Sequence, residues 1–258
     1  MDKAPGHILL ADWIDASRAT DTPFVVGISG APGSGKTTLC AQVEATLAAV
    51  GVRCVTLSLD DLYLTRAQRE ARARAVHPLC AVRGPPGTHD TALGVRILDT
   101  LATARPGQVT HLPRFDKATD DRREERRLVR GRPDVILFEG WCVLATPGPP
   151  WREAANAREA RDDPDGEWVR WTEATLATEY PPLWQRVQGS VYLASSFESA
   201  VEGRWRQEQA LRTAQPEGAA TMTHPEVEAF MALFERKVRE MATVMPEVAD
   251  WTLSLIHI

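Results

Sequence analysis

The stretch Gly30-Ala31-Pro32-Gly33-Ser34-Gly35-Lys36-Thr37 decides the fold prediction for this chain, because it fits the pattern G-x-x-x-x-G-K-[ST]. The flanking sequence gives the short pattern its weight. The apolar run from Pro23 to Ser29 predicts a buried strand before it, and Leu39, Val43 and Leu47 have helical spacing after it. A strand, a Gly-rich turn and a helix in this order are typical of a phosphate-binding P-loop. The alternative, a Gly-rich connection without a ligand, explains the context less well.

A second apolar run, Val52 to Leu57, follows this helix after a glycine suited to its end, Gly51. Strand, loop, helix and strand then form a βαβ unit, which implies parallel strands and a right-handed crossover. Further short apolar runs predict strands at Val109 to Leu112, Val135 to Phe138 and Val191 to Leu193. The sequence therefore predicts an α/β protein of the P-loop NTPase fold, with a mostly parallel sheet flanked by helices.

The remaining segments alternate between helical and loop-like composition. Periodicity and caps predict helices at His7 to Ser17, Thr65 to Ala75, Thr91 to Thr103, Phe197 to Leu211, and from Thr223 onward. We expect the apolar face of the last helix to be core rather than a cofactor site: Val227, Phe230, Met231, Phe234, Val238 and Met241. Composition predicts loops at 77–90, 113–132 and 214–220, a surface insertion at about 145–168, and an edge strand within Trp251 to Ile258.

Composition sets the broad class. With 258 residues, 43% of them apolar and 25% charged, the chain suits one soluble α/β domain spanning 1–258. A formal net charge of -5 disfavours a nucleic-acid partner. No apolar run approaches membrane-spanning length, and residues 1–10 lack the pattern of a signal peptide. The four cysteines show no C-x-x-C spacing, so we expect free thiols and a cytoplasmic location. The oligomeric state stays open.

The P-loop predicts how ATP and Mg²⁺ are held. Its glycines let backbone N–H groups converge on the phosphates, and the helix N-terminus favours an anion. We expect Lys36 to reach the β- and γ-phosphates and to act in catalysis, and Thr37 to offer its hydroxyl to Mg²⁺. The predicted nucleotide-binding residues are Gly30, Ala31, Pro32, Gly33, Ser34, Gly35, Lys36, Thr37 and Thr38.

Acidic residues follow two of the predicted strands. In open α/β sheets, ligands bind beyond the carboxyl ends of the strands, which places Asp60 and Asp61 near the phosphates. Phosphoryl transfer to an alcohol needs a proton acceptor, for which we choose Asp60, also a candidate metal ligand. Asp61 shares that role or contributes to the metal shell. The alternative is that both cap a helix. Glu139 ends the run Pro133 to Phe138 like a Walker-B acid and is a candidate Mg²⁺ ligand; the alternative is a buried strand that merely ends in an acid.

A P-loop alone does not distinguish a small-molecule kinase from other nucleotide-binding proteins. A GTPase is disfavoured because the chain lacks an N-K-x-D motif. A regulatory or assembly ATPase is the rival from a different class, and a pure binder has no need of a proton acceptor such as Asp60.

Three segments resemble the P-loop kinases of small metabolites, a superfamily that includes uridine kinase, phosphoribulokinase and pantothenate kinase. These segments are Gly30 to Thr37, Ser58 to Tyr63 and Phe138 to Trp141. Other segments are similar to the D-glycerate 3-kinase-like group: His77-Pro78-Leu79, Arg83-Gly84, Gly87-Thr88-His89-Asp90, Pro113 to Lys117 and Trp205 to Gln209. The match spans about residues 23 to 250 and implies ATP, Mg²⁺ and a small-molecule acceptor, with D-glycerate as the leading one. Nucleosides, pantothenate-like compounds and sugars or polyols remain alternatives.

The resemblance also implies a lid over the nucleotide, here at about residues 197–220. Its arginines would be Arg204 and Arg206, which would neutralise the transferred phosphoryl group like an arginine finger supplied in cis. The alternative is a solvated helix face.

The acceptor-site loops implied by the resemblance span about residues 60–130. A carboxylate acceptor suits a forked guanidinium, and Arg83 or Arg114 could supply it, although each could equally be a surface arginine. Arg122 follows Asp116 at the spacing found in the uridine kinase branch, and Trp141 could line the pocket or belong to the core. The candidate acceptor-site residues are Asp61, Tyr63, Arg83, His89, Asp90, Arg114, Asp116, Lys117, Arg122 and Trp141.

Overall fold

A computed structural model describes residues 5–214 and 221–254 of the chain. The strands found there are β1 (Phe24–Gly30), β2 (Cys54–Ser58), β3 (Val109–Leu112), β4 (Phe115–Asp116), β5 (Asp121–Arg122), β6 (Arg127–Arg130), β7 (Val135–Gly140), β8 (Gly189–Ala194) and β9 (Trp251–Ser254). Five of these described strands form the central sheet in the order β2-β7-β1-β8-β9, with every neighbouring pair parallel. The predicted parallel sheet is confirmed.

The helices of the described residues are α1 (Gly6–Ser17), α2 (Lys36–Ala49), α3 (Arg66–Ala75), α4 (Thr91–Thr103), α5 (Ala157–Asp162), α6 (Glu167–Thr178), α7 (Pro181–Trp184), α8 (Phe197–Ala214), α9 (His224–Met231) and α10 (Glu235–Val248). Short 3-10 helices occur at Leu59–Leu62 and Pro78–Ala81. Asp90 caps α4 with its carboxylate, and Thr223 and Glu226 form the predicted capping box of α9. In the part of the chain that the structure describes, no helix is long and apolar enough to cross a bilayer.

The central sheet is buried on both faces, as the continuous apolar runs of its inner strands require. Every residue of β1 and of β7 is buried. One face packs against α1 and α2 through a cluster that includes Leu10 and Leu39, and the other packs against α4, α6 and α10 through a larger cluster that includes Ile97 and Met241. The result is a three-layer α/β arrangement whose loops are free to build a site at the strand ends.

The predicted loop 113–132 contains structure that its composition conceals. Strands β4 and β5 form one antiparallel pair within it, and β6 pairs with β3 outside the central sheet. Strand β6 is Arg127-Leu128-Val129-Arg130, with no buried residue, so it lacks the alternation that marks a half-buried strand. The predicted loop is therefore wrong for this stretch, and β3 is not part of the central sheet.

The segment 145–168, predicted as a surface insertion, carries buried side chains and packs against α10. Glu159 of α5 is 3% exposed and accepts a hydrogen bond from Nη2 of Arg236 at 2.6 Å. Near it, Lys237 is 6% exposed and lies 2.8 Å from an oxygen of Glu173. Buried charges are tolerated when they are paired in this way. One of the charges that predicted a solvated surface, Glu159, instead serves such a contact, whereas others such as Arg152 and Asp165 are exposed.

The remaining expectations concern the cysteines and three short segments. All four cysteines are free, as predicted. The helix predicted from Thr223 onward is broken at residues 232–234 into α9 and α10. Most of the predicted loop 214–220 and the last four residues of the predicted edge strand lie outside the described residues.

Candidate active site

The strand order brings the predicted acids to the P-loop. Strand β7 lies between β1 and β2, so Glu139 is in register with Ile28 on one side and with Ser58 on the other. All three strands run parallel and end at the same edge of the sheet. The P-loop leaves β1 there, and the 3-10 helix that carries Asp60 leaves β2 there. Residues distant in sequence therefore meet at this edge.

One pocket at this edge contains most of the candidate chemistry. Its walls come from the P-loop, from the segments after β2 and β7, from the loop before α4, from the turn between β4 and β5, from α8 and α9, and from the residue before α10. The residues lining it are Pro32, Gly33, Lys36, Thr37, Asp60, Tyr63, Arg83, Lys117, Glu139, Trp141, Arg204, Gln207, Phe230 and Phe234. We refer below to its P-loop end (Pro32, Gly33, Lys36 and Thr37, with Glu139) and to its loop end (Asp60, Tyr63, Arg83, Lys117 and Trp141).

Lys36 lies within the P-loop itself. Its Nζ donates to the carbonyl oxygens of Gly30 at 2.7 Å and of Ala31 at 3.0 Å. Burial lowers the pKa of Lys36, although the nearby carboxylates of Glu139 and Asp60 favour the charged form. The ammonium group is thus held beside the N-terminus of α2, where backbone N–H groups are free to bind an anion.

Thr37 and Glu139 provide oxygen ligands of the kind that Mg²⁺ prefers. The Thr37 hydroxyl lies 3.3 Å from Oε1 of Glu139. Burial raises the pKa of Glu139, and the Lys36 ammonium opposes that shift. No cluster of three or more His, Cys, Asp or Glu able to hold a metal occurs in the described ranges. The pair fits Mg²⁺ shared with phosphate oxygens and water, which is how this ion is usually bound, rather than a closed protein cage.

Asp60 has both of its oxygens engaged. Oδ1 accepts from the Tyr63 hydroxyl at 2.7 Å, and Oδ2 lies 2.7 Å from Nζ of Lys117. Burial favours a higher pKa for Asp60, but the Lys117 ammonium, its hydrogen bond and that of Tyr63 outweigh burial and hold the pKa well below its ordinary value. Asp60 is therefore an ionised carboxylate facing the pocket.

A stacked aromatic pair stands behind Asp60. The Tyr63 ring lies on the His89 ring with centroids 4.7 Å apart, and Nδ1 of His89 lies 2.6 Å from the Tyr180 hydroxyl. Burial lowers the pKa of His89 to about 3, so the imidazole is neutral. His89 is not among the residues lining the pocket. Its place is to support Tyr63, and Tyr63 in turn orients Asp60.

Two cations line the loop end. Arg83 pairs with Asp120, and its guanidinium carbon lies 5.9 Å from the centroid of the Phe115 ring. Lys117 is half-exposed and pairs with Asp60. A carboxylate, an arginine and a lysine thus share one concave surface beside the P-loop.

Arg204 reaches the pocket from α8. Its guanidinium pairs with buried Glu208 and lies 5.9 Å from the Phe230 ring centroid. Only 11% of its side chain is exposed. Arg206, two residues along the same helix, is exposed and does not line the pocket. Of the two predicted lid arginines, the structure brings only Arg204 to the site.

Several predicted acceptor-site residues instead hold the surrounding loops together. Asp61 accepts from the Phe115 backbone N–H at 3.0 Å, and Asp90 caps α4. Arg122 donates to the Tyr63 carbonyl oxygen at 2.7 Å and pairs with Asp90. None of Asp61, Asp90 and Arg122 lines the pocket, so their contribution is to the shape of its walls.

Arg114 and Asp116 also lie away from the pocket. Arg114 is exposed, and Asp116 accepts from the Ala118 backbone N–H and lies 3.5 Å from Arg123. The hydrogen bond to Ala118 and the nearby Arg123 lower the pKa of Asp116. Thr38, at the start of α2, is exposed and does not line the pocket either. Of the two arginines considered for a carboxylate acceptor, Arg83 is the one in position.

Sequence reasoning missed three pocket residues. Gln207 lies one turn along α8, and Phe230 and Phe234, predicted as core, form an apolar wall that meets Trp141. Trp141 itself donates to the Gly84 carbonyl oxygen at 2.9 Å and is 4% exposed, so it is both a core residue and a pocket residue. Helical periodicity could not separate these roles, because one apolar face serves both.

Relatives were found by sequence although no known protein-family profile matches the chain. An uncharacterized kinase of Schizosaccharomyces pombe is 32% identical over 201 residues, which cover 74% of this chain and 72% of that protein. The chloroplastic D-glycerate 3-kinase of Arabidopsis thaliana is 35% identical over 137 residues, which cover 49% of this chain and 30% of that protein.

A solved structure extends the comparison to the fold. A D-glycerate 3-kinase from Cryptococcus neoformans aligns with a TM-score of 0.69 and 24% sequence identity, covering 98% of this chain and 94% of that one. At this identity the likeness concerns the fold. The identity to the fission-yeast kinase, in contrast, extends over more than two thirds of both chains.

Proposed function

The chain belongs to the P-loop kinases of small metabolites, and for this ATP-dependent small-molecule kinase we propose that the acceptor is a small hydroxy acid, most simply D-glycerate phosphorylated at its 3-hydroxyl. A D-glycerate 3-kinase is among both its sequence relatives and its structural neighbours, which motivates this choice of acceptor. A nucleoside, a pantothenate-like compound or a polyol is the alternative.

The observation that carries the proposal is the pairing of charges at the loop end. Asp60 can accept a proton from a hydroxyl, while Arg83 and Lys117 offer positive charge to a carboxylate in the same pocket. An uncharged acceptor such as a nucleoside would make no use of these cations, which pair with Asp120 and Asp60 in its absence. Cation and base on one small surface favour an acceptor that carries both a hydroxyl and a carboxylate.

At the P-loop end, the chain's own residues bind the phosphates and stabilise their charge. The free N–H groups at the start of α2 and the Lys36 ammonium bind the phosphate oxygens of ATP. Arg204 adds a third source of positive charge from α8. Thr37 and Glu139 would hold Mg²⁺, which when bound supplies further charge neutralisation at the phosphates.

At the loop end, Asp60 takes the proton of the acceptor hydroxyl. Its low pKa makes it a weak base, yet phosphoryl transfer passes through a loose transition state, so positioning matters more than base strength. Tyr63 fixes one carboxylate oxygen, and the other must exchange Lys117 for the acceptor hydroxyl. Trp141 and Phe234 cover this end with apolar surface, which limits competing transfer to water.

The test is ADP release by the purified protein with Mg-ATP across a panel of D-glycerate, L-glycerate, uridine, pantothenate and ribulose 5-phosphate. Strong stimulation by D-glycerate alone is expected, with 3-phosphoglycerate as the product. Stimulation by a different panel member would keep the kinase and contradict the glycerate proposal. Stimulation by L-glycerate equal to that by D-glycerate would place the recognition in the carboxylate rather than in the stereocentre.

A further inference from the structure

Gly203 stands inside α8, where its residue type calls for a physical reason. Glycine is among the least favourable residues in a helix interior, because it loses the most conformational freedom on folding. Helix α8 nevertheless continues on both sides of Gly203, from Phe197 to Ala214. Something other than helix formation must favour glycine at this position.

The reason lies in the P-loop. A Cβ atom on Gly203 would stand 2.5 Å from the carbonyl oxygen of Gly33, and a Cβ atom on Gly33 would stand 2.5 Å from the amide nitrogen of Arg204. Both obstacles are backbone atoms, which cannot move aside as a flexible side chain can. Gly33 also occupies a variable position of the G-x-x-x-x-G-K-[ST] pattern and has a φ of +81°. Two glycines, one on each element, therefore let the backbones of α8 and the P-loop touch.

This contact sets the position of the neighbouring arginine. Arg204 follows Gly203 directly, so its backbone is held against Gly33. Its guanidinium is held separately, by a pair with Glu208 whose other oxygen accepts from the Met222 backbone N–H at 3.1 Å. Both ends of Arg204 are therefore fixed relative to the phosphate site.

We propose that Gly203 is a positioning residue, whose missing side chain sets the distance between Arg204 and the transferred phosphoryl group. The inference rests on the proposed role of Arg204. A methyl group at Gly203 would need roughly 1 Å of additional space to reach ordinary van der Waals contact with Gly33. A misplacement of about 1 Å can cost about 100-fold in rate when geometry carries the catalysis.

The experiment is a double-mutant cycle of Gly203→Ala and Arg204→Ala, read as basal ATP hydrolysis and as acceptor-stimulated ADP release. We expect G203A to lower kcat about 10- to 100-fold while the acceptor KM and the affinity for MgADP change less than about threefold. In the R204A background, G203A should cost less than about twofold, because the interaction it serves is already lost. Gln209→Ala, an exposed change on the same helix, is the matched control and should leave kcat unchanged.

Three outcomes would overturn the inference: a G203A kcat within twofold of the wild-type value, a loss confined to KM, or an undiminished loss in the R204A background. If G203A does not fold, as judged by its far-ultraviolet circular dichroism, Glu208→Gln tests the same positioning from the guanidinium side with the same expected coupling. Basal hydrolysis needs no acceptor. Failure of every acceptor would therefore contradict the proposed function while leaving the test of Gly203 intact.

Discussion

The two ends of the pocket are built in opposite ways. The P-loop end comes from one short segment, residues 32–37, with a single partner, Glu139, from the neighbouring strand. The loop end gathers Asp60, Arg83 and Lys117 from separate loops. Backbone groups and one motif can bind phosphate in any member of such a family, whereas side chains from several loops can be changed independently. We expect damage to the P-loop end to affect all acceptors alike and damage to the loop-end cations Arg83 and Lys117 to discriminate between acceptors.

The largest effect is expected at Asp60, the proposed base of the loop end. Asp60→Asn should lower kcat by about 10²- to 10⁴-fold, because the amide cannot accept the hydroxyl proton. The KM for ATP should change little, and steady-state kinetics with the preferred acceptor measure both constants. Asp61→Asn is the matched control. The Asp61 carboxylate contacts a backbone N–H outside the pocket, so this variant should lose less than about tenfold in kcat. A D60N variant with normal kcat would remove Asp60 as the base.

A change at the P-loop end should lower kcat slightly less, and by the same factor for every acceptor. Lys36→Met removes the ammonium from the phosphates and should lower kcat by about 10²- to 10³-fold, the effect of deleting one preorganised donor. The ratio of activities across the acceptor panel should stay the same as in the wild-type protein. A loss of kcat that varied with the acceptor would show that Lys36 also contributes to acceptor binding, contrary to the separate roles of the two ends.

A change at the loop end should discriminate. Arg83→Met should raise the KM for a carboxylate acceptor about 10- to 100-fold, as expected for one charge-assisted hydrogen-bonded pair, with kcat within about threefold. Arg114→Met removes an exposed arginine outside the pocket and should leave KM within about twofold. Equal effects of the two changes would mean that the structure does not separate these arginines functionally.

The smallest effect is expected at His89, which supports Tyr63 behind the loop end, and it is an effect on the free energy of unfolding. His89 has a folded-state pKa of about 3, below its ordinary value of 6.5, so the unfolded chain takes up the proton first as pH falls. His89 therefore lowers the free energy of unfolding below pH 6.5, with a slope of up to about 1.4 kcal/mol per pH unit.

Denaturant unfolding at pH 7.5 and pH 5.0 measures this contribution. The wild-type protein should lose about 2 kcal/mol more than His89→Gln over that interval, and the variant's own pH-independent destabilisation cancels in the comparison. The same pH dependence in both proteins would contradict a buried, neutral His89.

The sequence predicts the P-loop end of the pocket better than the loop end. The P-loop end is a contiguous motif, so strand, turn and helix were predictable with Lys36 and Thr37 in their places. Asp60 and Glu139 were predictable because they follow apolar runs, and parallel strands end at one edge of a sheet. These predictions needed only local patterns and one rule of topology.

The loop end was predictable only as a set of candidates. From the sequence, Arg83 and Arg114 are equally good candidates to bind a carboxylate. In the structure only Arg83 lines the pocket, where it contacts Phe115 and Asp120. Phe234 resembles any core residue, because a pocket wall and a core share one apolar face. Strand β6 escaped prediction since it has no buried residue, only Val129 being half-buried, and its charges mask its β-structure.

The insertion of β7 between β1 and β2 has a consequence for synthesis on the ribosome. The P-loop and Asp60 are complete once residue 60 has been translated, but β1 and β2 are not neighbours, and the strand that joins them ends at Gly140. Until that strand emerges, the nascent chain exposes two apolar strands with a missing partner between them. Folding of the sheet therefore depends on a segment far along the chain. During this delay the exposed apolar strands are prone to aggregate or to bind chaperones. The P-loop and Asp60 are thus complete in sequence after 60 residues, but the site that they form cannot assemble until more than twice that length has been translated.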